Sequence, residues 1–196
     1  MKMGWDEQLT DKEVYYLGKV VAHWGAIEYE VFIQTLQTFD GAVNNVSELP
    51  KPMKNLNFSA VLDLWEERVI NNTSGERGEI LRIQLQKIKE ASEFRHTLVH
   101  SMLHYSQTDI GRITASRVKN REYIQVDISG DDLLDFYTRL SEINFYLRAP
   151  GGADEFAEIK VREGGGFSRR GLAMVTGHEI LSDWISSPLK PESASE

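Results

Sequence analysis

The feature that most constrains this chain is a helical apolar period that returns in four separate stretches. Val14, Leu17, Val21, Trp24, Ile27, Val31 and Leu36 recur at three- and four-residue spacing, with Asp11 placed to cap and Glu13 in the first turn. This predicts helix 1 over 11–39, stopped by Gly41 and followed by a loop containing Asn44, Asn45, Pro50 and Pro52. Phe58, Val61, Leu62, Trp65 and Val69 predict helix 2, ending in the run Asn71 to Gly75, where Thr73 or Ser74 starts the next element. Helix 3 is expected over 76–103, rich in the good helix formers Glu, Leu, Gln, Lys and Arg. Gly130, Asp131 and Asp132 open helix 4, whose apolar positions Leu133, Leu134, Tyr137, Leu140, Ile143 and Leu147 end before Pro150.

Between helices 3 and 4 the period changes to two. Ile113 and Ala115, then Ile124, Val126 and Ile128, alternate with polar neighbours, which predicts a β-hairpin at 111–128 turning near Lys119 and Asn120. The fold class that follows is mainly α: an up-and-down bundle of four or five helices carrying one small hairpin between helices 3 and 4. The bundle and hairpin take residues 1–150. Residues 151–196 form a C-terminal extension with a short segment at 154–163, a hinge at Gly164–Gly166, a helix at 168–186 and a disordered Pro/Ser/Glu end.

Composition removes several classes of function. Without cysteine there is no disulfide framework, thiolate zinc site, iron–sulfur cluster or Cys nucleophile. The first residues lack the apolar core of a signal peptide, and no apolar run is long enough to span a bilayer, so a cytoplasmic protein with no membrane partner is the expectation. The net charge of −8 argues against nonspecific coating of nucleic acid. The charge is uneven, however: residues 76–129 carry nine basic against seven acidic side chains and form the only stretch that is not acidic.

That stretch holds the candidate chemistry. The helix 3 seam runs Leu81, Leu85, Ile88, Ser92, Arg95, Val99, Met102, with two polar residues where apolar ones belong. An unpaired buried guanidinium costs several kcal/mol, so Arg95 must meet an anion, a hydrogen-bonding network or a cleft open to water. His96, His100 and His104 follow at four-residue spacing. Imidazoles four apart can chelate zinc, with Glu93 as a third ligand, but the stretch lacks the Glu of the H-E-x-x-H motif, and no metal or other cofactor is expected.

A second reading joins Arg95 to His100. At about 100° per residue their Cβ vectors diverge by about 140°, so one helix does not aim both at one atom. Two copies crossing near Arg95 bring the Arg of each to the His of the other, forming a symmetric cleft. Such a cleft suits a phosphodiester: the guanidinium holds a nonbridging oxygen, a neutral imidazole takes the proton of a ribose 2′-hydroxyl, and a protonated one serves the leaving oxygen.

The run Glu93-Phe94-Arg95-His96-Thr97-Leu98-Val99-His100-Ser101 resembles the Arg-x(4–6)-His signature of the HEPN superfamily (higher eukaryotes and prokaryotes nucleotide-binding domains). Trp24-Gly25-Ala26-Ile27-Glu28 is similar to the W-x-x-x-E stretch of related bacterial proteins. The resemblance covers residues 10–148. It implies a four- or five-helix bundle, commonly dimeric, and in active branches a metal-independent endoribonuclease leaving a 2′,3′-cyclic phosphate, often a toxin or defence protein. On that resemblance Arg95 and His100 are the defining pair, Glu93 matches a frequent upstream polar position, and His96 stands where Asn is commonest. The implied partners are single-stranded or loop RNA, a second copy through helix 3, and an antitoxin. A noncatalytic module binding a nucleotide, RNA or protein is the alternative.

Plainer readings stand beside these. Arg95 can form a structural ion pair with Glu28 or Glu93, and His100 can be a helix-end cation suited to the dipole. Arg112, Arg117, Lys119 and Arg121 can grip an RNA backbone, though alternating charge on an exposed ribbon is usually a solvated face. The Gly164–Gly166 run before Arg169 and Arg170 lacks a P-loop Lys-Ser/Thr and reads as a hinge. Trp5, Trp24, Trp65 and Trp184 read as packing residues.

Overall fold

In the computed structural model, which describes residues 9–39, 49–106, 108–162 and 164, helix α1 (Asp11–Leu36) starts at the expected residue, but its cap lies one residue earlier. Thr10, not Asp11, is the N-cap. Its hydroxyl accepts from the Glu13 amide at 3.3 Å, and the Glu13 carboxylate accepts from the Thr10 amide at 2.7 Å, a reciprocal capping box. The expected continuation to residue 39 stops at Leu36, after which Thr38 and Phe39 close short turns.

Helix α2 (Phe58–Trp65) is capped by Asn57 and runs directly into one π-helical turn, Glu66–Ile70. Helix α3 (Gly75–His100) follows Ser74. Gly75 has φ +69°, and at Gly78 any Cβ would strike the Thr73 carbonyl oxygen, so the sharp entry to α3 requires glycine at both. Helix α3 ends at His100, three residues short of the expected boundary, because Met102–Tyr105 leaves the helix to become strand β1. Strands β2 (Arg112–Lys119) and β3 (Glu122–Ser129) form the expected hairpin. The result is a three-stranded antiparallel sheet in the order β1-β2-β3, with Ala115 paired to Leu103 on one side and Val126 on the other. Asn120 and Arg121 both take positive φ (53° and 68°), the geometry of a two-residue hairpin turn whose twist matches its strands. Helix α4 (Gly130–Arg148) starts from a second capping box, Ser129 with Asp132, rather than from Gly130.

The molecule is thus mainly helical with a small antiparallel sheet. Helix α1 packs chiefly on α4 and also on α2, while α3 packs on α4 and on β2. The core joins Val20, Ile27 and Val31 of α1 to Trp65, Ile88, Leu133 and Leu140, all without exposed surface, and continues into the sheet through Ile113, Ala115 and Ile128. Each such Ile or Leu contributes about 1.5–3 kcal/mol by leaving water. The expected α3 seam holds through Leu81, Leu85 and Ile88, then rotates: Leu98 is buried, whereas Val99 and Met102 are exposed. A straight 3.6-residue helix drifts away from a strict heptad line, and β1 carries Met102 off the helix altogether.

The chain divides between Pro150 and Gly151 into two units. In the second, helix α5 (Ala153–Arg162) is seen where a short segment was expected, with the Gly151 amide donating to Glu155 at 2.6 Å. Gly165 and Gly166, the expected helix at 168–186 and the tail lie outside the described residues, as do Trp5, Trp184, His178 and the loop containing Gly41, Asn44 and Asn45. No described helix is long and apolar enough to cross a membrane.

Candidate functional site

The last two turns of α3 sort the expected residues onto two faces. Glu93, His96 and His100 are three and four apart, so they share one face, and Arg95 falls on the next. Arg95 turns toward α1. Its guanidinium lies 5.5 Å from the Trp24 ring centroid, and the Trp24 indole donates to Glu28 at 2.6 Å. Of the W-x-x-x-E stretch, Trp24 therefore meets Arg95, and Glu28 holds the Trp24 indole. Neither expected ion pair forms: Arg95 has no hydrogen bond or salt bridge among the described residues, and its Nε is buried without a partner. No contact joins Arg95 to His100 within one chain, in keeping with their angular separation.

On the other face the imidazoles of His96 and His100 are in contact, with centroids 4.4 Å apart and planes tilted by 42°. Both residues are exposed. Partial loss of hydration on the packed side of the ring pushes the His96 pKa down, the charges of His100 and then Arg117 push it further, and Glu93 opposes them. The neutral imidazole is thereby favoured at neutral pH.

The hairpin reaches the same place. Residues two apart on a strand share a face, and β2 turns Ile113, Ala115, Arg117 and Lys119 toward α3. Arg117 Nη2 and Lys119 Nζ each donate to Oε1 of Glu93 at 2.7 Å. Those two bonds, Lys119 first, hold the Glu93 carboxyl below its usual range. The exposed-ribbon expectation is corrected at Arg117, whose side chain is only 7% exposed. β2 is the central strand, and a third strand covers the edge that a lone hairpin would leave open. Arg117 Nε and Nη1 are buried without partners, as is the Ser101 hydroxyl immediately after His100.

Glu93, His96, His100, Arg117 and Lys119 thus form one cluster where α3 meets β2. Arg112 is elsewhere, 3.5 Å from Asp109, and Arg121 sits exposed in the turn. His104 is on the opposite face of the sheet from Arg117. Its Nδ1 faces the Tyr105 carbonyl at 3.1 Å, which can only accept, so in the neutral ring Nε2 accepts from the Ser116 hydroxyl 3.0 Å away. This fixes His104 as a structural link between β1 and β2. Sequence reasoning missed Ser101 and the burial of Arg117. The available signal for Arg117 was its place in the Ile113/Ala115 alternation, which puts it on the core side of the strand.

Among the described residues no group of three or more His, Asp or Glu side chains is arranged to hold a metal ion, and the Glu93 carboxylate is turned to the two hairpin cations. A groove of about 510 Å³ between α3 and α4 is lined by Lys87, Glu90, Phe94, Asp132 and Phe136, among others, and by none of the expected site residues. Comparison with family models, curated proteins and solved structures finds no match to this chain.

Proposed function

We propose that residues 1–150 form a HEPN-like endoribonuclease that cleaves single-stranded or loop RNA through its own 2′-hydroxyl, acting as a homodimer through α3. The observation that carries this reading is the His96–His100 imidazole pair beside Arg117 and Lys119, with Arg95, free of any ion pair among the described residues, one face away. Cleavage at a ribose needs a base, an acid and fixed positive charge, because the nucleophile is already on the substrate. His96, favoured in its neutral form, takes the 2′-hydroxyl proton. The 2′-oxygen attacks phosphorus, the bond to the 5′-oxygen breaks, and His100 returns a proton to that leaving oxygen. The products are a 2′,3′-cyclic phosphate and a free 5′-hydroxyl. Arg95 of a second copy is the clamp for the nonbridging oxygens, since within one chain it faces Trp24.

One observation favours a second reading, a noncatalytic nucleotide-, RNA- or protein-binding module: Glu93 occupies both hairpin cations. Cleavage of a fluorogenic single-stranded RNA in EDTA separates the two. His100→Ala and Arg95→Met are each expected to lower the rate by about 10²–10⁴-fold, the range of acid–base and electrostatic contributions. Equal rates in wild type and His100→Ala would discard the enzyme reading.

A further inference from the structure

Three features of the Glu93 contact go together. First, both cations end on a single carboxylate oxygen, Oε1, so the carboxylate presents to Arg117 and Lys119 the same single anionic oxygen that a phosphodiester presents through a nonbridging position. Second, the two sides of the contact differ in exposure. The Glu93 side chain is 64% exposed and reaches in from solvent, whereas Arg117, on the central strand, is 7% exposed. Third, the carboxylate leaves Arg117 under-used: two of its three nitrogens, Nε and Nη1, are buried and unpartnered, as is the hydroxyl of Ser101 at the end of α3. An arginine buried for structure alone is expected to have its fork satisfied.

We infer that Arg117 and Lys119 form a phosphate subsite for single-stranded nucleic acid that Glu93 closes in the free protein, its carboxylate standing in for a nonbridging phosphate oxygen until the backbone of the strand displaces it. The inference rests on the ribonuclease reading for the identity of the ligand, and it reverses the role that position suggests in sequence. Glu93 competes with substrate instead of helping to cleave it. The subsite lies beside His96, so the phosphate held by the hairpin cations is next to the imidazole pair. Displacement releases two ion pairs that share the 64% exposed Glu93 carboxylate, a modest cost that a phosphodiester with a full negative charge replaces.

The test is equilibrium binding of a fluorescent 2′-O-methyl single-stranded oligonucleotide, which has no 2′-hydroxyl to react, measured by anisotropy at fixed salt. Glu93→Gln keeps the shape of the side chain and removes its charge. It is expected to tighten binding on the order of two- to thirty-fold, the range for releasing two ion pairs made by one solvent-exposed carboxylate. In Glu93→Gln/Arg117→Gln the gain disappears, and Lys119→Gln alone weakens binding by a smaller factor. Unchanged or weaker binding in Glu93→Gln, with the wild-type circular dichroism retained, would overturn the inference. So would a gain that persists without Arg117, since it would then be a general charge effect. The same proteins assayed for cleavage of the unmodified RNA keep the two claims apart. Tighter binding without any cleavage upholds the subsite and removes the enzyme, whereas His100-dependent cleavage without tighter binding upholds the enzyme and removes the subsite.

Discussion

Replacing Arg95 with Met is expected to move stability and activity in opposite directions. Arg95 Nε is buried with no hydrogen-bond partner, a loss of about 1–3 kcal/mol for an unsatisfied donor. Against that stands the cation–π contact with Trp24 at 5.5 Å, worth about 0.5–1 kcal/mol at a partly open site. Met keeps an unbranched stem of similar reach and a sulfur that packs well on an aromatic ring, so little packing is lost. The difference predicts that Arg95→Met is between equal to wild type and about 2 kcal/mol more stable. Urea denaturation followed by circular dichroism at a fixed pH measures this. If Arg95 is retained for substrate, the stabilised variant loses RNA cleavage; a stability gain bought at the expense of function is the expected signature of a site residue. Destabilisation by more than about 1 kcal/mol would refute the reasoning, because it would show that the guanidinium has a structural partner worth more than its desolvation.

Two further expectations follow from named contacts. Removing the hydroxyl at the α4 cap, Ser129→Ala, should cost about 1 kcal/mol at neutral pH. The backbone and hydroxyl of Ser129 hold the Asp132 pKa below its ordinary value, so that stabilisation is present above the unfolded carboxylate pKa and fades as pH falls through the folded one. Thermal melts of the two proteins should therefore draw closer as pH falls below the ordinary carboxylate range, where the hydroxyl's bond to the Asp132 carboxylate is lost, and a gap unchanged by acid would contradict that part of the cap. For His96 the folded pKa is lowered, so its contribution to stability is constant above the ordinary imidazole value and is lost as pH falls from there to the folded value. Proton NMR should place the His96 midpoint below about 6.5 and move it upward in His100→Ala; a midpoint at or above that value in wild type would remove the neutral base from the mechanism.

The parts of this fold that were legible in sequence are those set by local periodicity and caps. The spacing from Val14 to Leu36 marks α1, and the alternation of Ile113, Ala115, Ile124, Val126 and Ile128 marks the hairpin, because each pattern is written within one element. Strand β1 was not legible. Met102–Tyr105 follows a helix without Gly or Pro, and the spacing of His96, His100 and His104 reads as one more helical turn. What makes those four residues a strand is the ladder from Met102–Ser116 to Tyr105–Ile113, a tertiary pairing that outweighs local propensity. The π turn at Glu66–Ile70 has the same character, since nothing in its apolar spacing announces an extra residue.

The candidate site divides along the same line. The shared face of Glu93, His96 and His100 is a property of one helix and could be read from spacing. That Arg117 and Lys119 close on Glu93, while Arg95 turns to Trp24, depends on how β2 and α1 pack against α3 from opposite sides of the chain's order. Spacing alone therefore paired Arg95 with Glu28 or Glu93 as its plain partners, and the geometry pairs Glu93 with the hairpin instead.

The most direct test of the central claim is the chemistry of the ends produced. Purified wild type, incubated in EDTA with a single-stranded RNA and with the same strand carrying one 2′-deoxyribose at the cleaved position, is analysed by mass spectrometry. The account predicts a 2′,3′-cyclic phosphate and a 5′-hydroxyl from the first strand, no cut at the deoxyribose in the second, and loss of both products in His100→Ala. A 5′-phosphate product, or equal cutting at the deoxyribose, would contradict it.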